Sequence, residues 1–216
     1  MKLTAPVLLA CAVVLSACTV DSPVPTDHGM HAHDLSLSSL ESSINAQTLA
    51  DIKQFSVKFH DVSVAEDSGF ALLKLPPATA PDGCISSRAE GEGGMGYHYT
   101  RGTNIPDDSI GLLDPEFLVY APKEGPRQDG EARTRLAAFE YFLPFTPKWP
   151  APGTAGFQHA PTLHDFSTTQ GLPDIAFVPT ERFGGWMLHI WLWEHNPGGE
   201  FANWNSSVPL CEGSTF

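Results

Sequence analysis

The stretch "GWMLHIWLWEHN" (185–196) sets His189 among three tryptophans within eight residues, an unusual neighbourhood for an ionisable ring. If the stretch is a β-strand, alternate side chains share a face. Met187, His189, Trp191 and Trp193 then lie on one face, and Trp186, Leu188, Ile190 and Leu192 on the other. Both faces are apolar, which predicts a covered central strand and a buried His189. The same alternation in "LAAFEYF" (136–142) groups Leu136, Ala138, Glu140 and Phe142, again one ionisable group on an apolar face. In "GMGYHYT" (94–100) it places His98 opposite its neighbours Tyr97 and Tyr99. A lone buried carboxylate must be protonated, paired with a cation or bound to a metal. Two imidazoles and a carboxylate from three strands can form an open metal site, with zinc the first choice and ferrous iron the second. Water in the remaining position makes hydrolysis the natural chemistry. The spacing is not diagnostic, because no paired-histidine helix motif occurs. A dry hydrogen-bonded network of Glu140 with the histidines, fixing strand register, is the structural alternative.

Other candidate chemistry is weaker. No serine stands in a nucleophile-elbow context, and "GEGGMG" (91–96) lacks the following helix that a phosphate loop needs, so it is expected to be a tight turn. Trp186, Trp191, Trp193 and Trp204 would offer a sugar-stacking platform if they shared a surface, but tryptophans on strands more often fill cores. Asn205 heads an "NSS" sequon that we read as chance. Near the amino terminus, "DHGMHAHD" gathers His28, Met30, His31 and His33, an auxiliary cluster able to pick up copper, nickel or zinc.

The elements that must position these residues are legible from periodicity. Leu49, Ile52, Phe55, Phe59 and Val62 recur at steps of three and four, one apolar helical stripe. Asp61 is suited to cap a second short helix that Gly69 would end, giving one helix or a helix pair. Beyond Gly69 the period shortens, and strands are expected at "FALLKL", "GMGYHYT", "EFLVYAP", "TRLAAFEYFLPF" and "GGWMLHIWLWEH". The polar segment between Pro122 and Arg133 reads as a long hairpin loop, and the stretch between Pro144 and Pro173 as a loop over one end of the sheet. The expected fold is α+β: an N-terminal helix or helix pair on a curved, mostly antiparallel β-sheet, roll or barrel-like.

The first residues, "MKLTAPVLLACAVVLSAC", combine a lysine, an apolar run and small residues before Cys18. They predict a signal peptide over 1–17. Its end, "LSAC", looks like a bacterial lipobox, in which Cys18 is acylated with fatty chains such as palmitate and becomes the new amino terminus. Several acyl chains on one residue anchor firmly. Thr19 rather than Asp after the cysteine points to the outer rather than the inner membrane, by the sorting pattern of enteric bacteria. Residues 18–43 are Ser-, Pro-, Asp- and His-rich and read as a flexible tether, leaving 44–216 as one folded α+β domain.

Two cysteines then remain, Cys84 and Cys211, in an oxidising periplasmic compartment with no third thiol to compete, so a disulfide is expected. The net charge of -13 repels phosphate backbones, which argues against nucleic acid as a partner and leaves the membrane, through the acyl anchor, as the expected one. Two functions follow: a metal-binding envelope lipoprotein, or a non-catalytic envelope scaffold or ligand-binding protein whose tryptophan strand and "NPGGEFANWN" loop recognise a ligand.

As a set, "FHDVSVAEDSGF", "GCIS", "GMGYHY", "DPEFLVYAP", "FEYF" and "LHIWLWEHNPGGEFANWN" followed by a terminal cysteine resemble a family of exported bacterial proteins, over about Leu49 to Cys211. The pattern contains the positions of His98, Glu140, His189, Cys84 and Cys211, and it is compatible with both the metal and the structural readings. At "PTLHDF" the family pattern is "PxLFGxxF"; His164 and Asp165 depart from it, which implies a different loop shape. The resemblance supplies no reaction.

Overall fold

The computed structural model describes residues 46–75, 83–87, 92–102, 109–123, 134–166 and 174–211. The signal segment 1–17, Cys18, the tether 18–43 with His28, His31 and His33, and residues 124–133 of the polar hairpin loop lie outside them.

The apolar stripe forms helix α1 (Ala46–Ser56), which tightens into a 3₁₀ turn (Val57–His60) and is followed by the six-residue α2 (Val62–Asp67). The break falls at Asp61, whose extended backbone cannot continue a helix and whose carboxylate accepts from the Ser63 amide at 3.0 Å. Gly69, at φ +88°, ends α2 with its amide on the Glu66 carbonyl. Ile52 and Phe59 are fully inside, and Leu49, Phe55 and Val62 pack at the margin, so the stripe is the buried face.

Seven strands follow among the described residues: β1 (Ala71–Leu72), β2 (Cys84–Ser86), β3 (Gly94–Thr100), β4 (Phe117–Pro122), β5 (Thr134–Pro144), β6 (Val178–Thr180) and β7 (Gly185–Trp191). They form one sheet in the order β1-β3-β4-β5-β7-β6, with β2 also on β3, and every pairing is antiparallel. The sheet is open, so the barrel-like alternative is set aside: β6 and the short β1 and β2 stand at its two edges and do not pair. β2 and β6 lie outside the strands that periodicity predicts, because three residues are too few to display an alternation. "FALLKL" was expected as a strand throughout but pairs only at Ala71 and Leu72.

The helix side of the sheet carries the main core, with Tyr97, Leu118, Tyr120, Phe139, Tyr141, Leu188 and Ile190 packed under Phe55 and Phe59. Tyr120 donates to the Phe59 carbonyl at 2.6 Å, tying β4 to the 3₁₀ turn. Burial, reinforced by the nearby Tyr99, Asp61 and Glu66, pushes the Tyr120 phenol well above its ordinary pKa. The opposite side is covered by chain returning from both sheet edges. Val119, Ala121, Ala138, Trp191 and Val208 cluster there, as do Ile85 and Met95 with Phe183 and Trp204.

Leu136 and Trp193 depart from simple alternation, as does Met95, the extra residue opposite β2, which lies beside Ile85 although Tyr97 faces the helices. Val119 pairs with Ala138 and Tyr120 with Leu136, so Ala137 is an extra residue on β5 and Leu136 turns to the helix side, away from Glu140. At the end of β7 the amides of Leu192 and Trp193 both donate to the Ala137 carbonyl, at 3.0 Å each. The alternation therefore stops at Trp191. Trp193, expected on the His189 face, instead reaches α1, donating to Ser56 Oγ at 2.9 Å with its ring 4.6 Å from that of His60.

Candidate metal centre

His98, Glu140 and His189 come from β3, β5 and β7 on the face away from the helices. Glu140 and His189 are register partners, placing them side by side. His98 lies opposite Val119, and Glu140 opposite Phe117, two residues away on the intervening β4. The His98 and Glu140 side chains therefore converge diagonally over β4. All three are buried, with residue exposures of 2%, 4% and 0%.

Both imidazoles approach one oxygen. His98 Nε2 is 3.0 Å from Glu140 Oε2, and His189 Nε2 is 3.4 Å from the same atom. One ligand atom from each residue lies within 4.8 Å of the other two, so the group could hold a metal ion. His98 Nδ1 lies 3.0 Å from the Gly96 carbonyl, which can only accept, so the proton resides on Nδ1. In neutral His98 the Nε2 lone pair then faces a carboxylate oxygen, an arrangement that requires a cation or a shared proton between them. The rest of the cluster is short of partners: Glu140 Oε2 and both ring nitrogens of His189 are buried without an aligned hydrogen bond among the described residues. Burial works to raise the Glu140 pKa, but His189 and His98 outweigh it and hold the group down to about 2, against an ordinary 4.5. Glu140 is thus a carboxylate in a dry setting, with two imidazole nitrogens gathered on one of its oxygens.

The supports are specific. Gly96 has φ +114°, and a β-carbon there would collide with the Tyr120 carbonyl on β4. Only glycine lets β3 close on β4 while its own carbonyl receives His98 Nδ1. The His189 ring stacks on Trp191 at 5.7 Å with 11° between planes, and it meets the His98 ring edge-on at 6.3 Å. Glu116 is a buried carboxylate that sequence reasoning missed; it accepts from the Phe142 amide at 3.1 Å, next to the strand segment that carries Glu140. Its position just before β4 gave no periodic signal.

The tryptophans form no common platform. Trp186 stacks on Phe157 within the helix-side core, Trp191 donates to the Ala202 carbonyl at 2.6 Å, and Trp193 packs on α1. Trp204 lies near the metal-centre face, beside Ile85 and Met95. Cys84 and Cys211 have their sulfurs at disulfide distance and their α-carbons 5.7 Å apart, which joins the carboxyl-terminal segment to β2 and, through it, to β3. His164 and Asp165 fall in a 3₁₀ turn (Leu163–Phe166), where Asp165 accepts from the Thr162 amide at 2.7 Å; this loop contributes nothing to the metal centre. No helix among the described residues is long and apolar enough to cross a membrane. No protein-family model, curated protein or solved structure matches the chain.

Proposed function

We propose that this protein is a bacterial cell-envelope lipoprotein whose folded part binds a divalent metal ion through His98 Nε2, His189 Nε2 and Glu140 Oε2. One observation carries the metal reading: three buried ligand atoms from three strands converge within 4.8 Å, while the carboxylate oxygen and the His189 nitrogens lack aligned hydrogen bonds. Two imidazoles and a carboxylate favour zinc, then ferrous iron. Such a donor set leaves a coordination position for water or a ligand oxygen, and water held there is activated for hydrolysis. Export and anchoring rest on the amino-terminal pattern that ends at Cys18.

A scaffold with a purely structural network is the second reading, favoured by the 3.0 Å approach of His98 to Glu140, a distance that a shared proton also stabilises. Elemental analysis of protein purified without chelators separates the two. The expected result is near-stoichiometric zinc or iron, lost on His189→Ala. Well-folded protein that carries no metal and takes up none on incubation with zinc would leave the structural network as the account.

A further inference from the structure

A cavity of about 140 Å³ opens beside His98 and Glu140. Among its described lining residues those two are polar and the remainder apolar, with Leu75, Ile85, Met95, Phe117, Phe142 and Met187 among its walls. A second cavity of about 150 Å³ shares Ile85, Met95, Phe183 and Met187 with the first and is also lined by Thr180, Arg182, Asn203 and Trp204. The packing of the sheet does not require this space, because the helix side already buries the large aromatic residues of β4, β5 and β7.

Charge and shape together define an occupant. A divalent ion with two neutral imidazoles and one carboxylate retains a net charge of +1, and a buried net charge is costly unless it is compensated. Among the described lining residues Glu140 is the one carboxylate, and a ligand that brings a second negative charge neutralises the site. The apolar walls set the rest of that ligand: an apolar cavity of about 150 Å³ holds a molecule the size of benzene. We infer that the site takes a small amphipathic monocarboxylate, its carboxylate on the metal and a ring or short branched chain of about six carbons between Met95, Phe117, Phe142 and Met187. This inference rests on the metal reading.

Calorimetric titration of the intact protein in lipid nanodiscs, with and without bound zinc, tests it. The probes are benzoate, acetate (the head without the body) and benzyl alcohol (the body without the charge). Benzoate should bind the zinc form about ten-fold or more tightly than acetate, since burial of even two methylene equivalents is worth that factor. It should also exceed benzyl alcohol, and lose its advantage when zinc is removed. Leu75 is half-buried at the cavity wall, so Leu75→Trp should fill the space, keep the zinc and bring benzoate down to acetate; Met95→Phe checks the same point from another wall. Equal affinity for benzoate and acetate on zinc-loaded protein would overturn the inference and leave the metal site standing. Benzoate binding that ignores zinc would overturn the coordinated carboxylate. Failure of folded protein to take up zinc would overturn both the site and its ligand.

Discussion

Glu140 and His189 face each other as register partners on β5 and β7, and the Glu140 oxygen that His189 Nε2 approaches at 3.4 Å is the one that His98 Nε2 approaches at 3.0 Å. Two imidazole nitrogens gathered on a single oxygen, with both His189 nitrogens lacking aligned hydrogen bonds, is the geometry of a ligand set more than of a hydrogen-bond network. Glu140→Gln should therefore abolish stoichiometric metal while leaving the chain foldable, because the amide keeps the volume and loses the charge. Glu140→Leu should also lose the metal. His98→Ala in metal-free protein should cost about 3–5 kcal/mol, the usual result of leaving one member of a buried pair alone. Metal content and denaturant melts read these effects together; unchanged metal in Glu140→Gln would exclude the carboxylate as a ligand.

Acid should weaken the metal-free protein in a defined window. The folded-state pKa of Glu140 lies near 2, below its ordinary 4.5, so its contribution to stability is present above about 4.5 and drains away as pH falls toward 2. Thermal melts across that range should show a slope that Glu140→Gln lacks. Metal-loaded protein should additionally release its ion on acidification, because protons compete for the imidazoles.

Gly96→Ala should destabilise the fold by about 2–3 kcal/mol, given a positive φ and a β-carbon aimed at the Tyr120 carbonyl. Because Gly96 also supplies the carbonyl that fixes His98 Nδ1, metal affinity should fall even at temperatures where the variant remains folded. Equal affinity in folded Gly96→Ala would show that this carbonyl does not orient the ligand.

Reduction of Cys84–Cys211 should lower stability by about 5 kcal/mol in the chain-entropy treatment, since the two residues are 127 apart in sequence. Melts with and without reductant, and a linked peptide in non-reducing mass spectra, check it. Free thiols at both positions in material taken from the periplasm would refute the pairing.

Cys18→Ser should leave a soluble or unprocessed protein, while the unaltered chain should partition with membranes and begin at an acylated Cys18. Normal maturation and membrane fractionation of Cys18→Ser would remove the lipobox from consideration.

What the sequence determined by itself is whatever depends on neighbours along the chain. The helical stripe with its break at Asp61, the strand character of 94–100, 134–144 and 185–191, and the burial of Glu140 and His189 follow from local periodicity and from the cost of leaving large apolar side chains in water, whereas the burial of His98 does not. Tertiary structure decided what depends on register. The extra residue at Ala137 sends Leu136 to the helix side while Ala138 and Glu140 keep the other face. The shared Ala137 carbonyl ends the alternation of β7, so Trp193 lands on α1. A bulge adds one residue without changing the apolar pattern, which is why alternation cannot reveal it. Strands as short as β2 and β6 carry no period to read, yet β2 brings Ile85 to the cavity wall and β6 covers the edge of β7. The convergence of two histidines on a single Glu140 oxygen likewise depends on how β3, β4, β5 and β7 align across the sheet, a relation among residues distant in sequence that spacing along one strand does not contain.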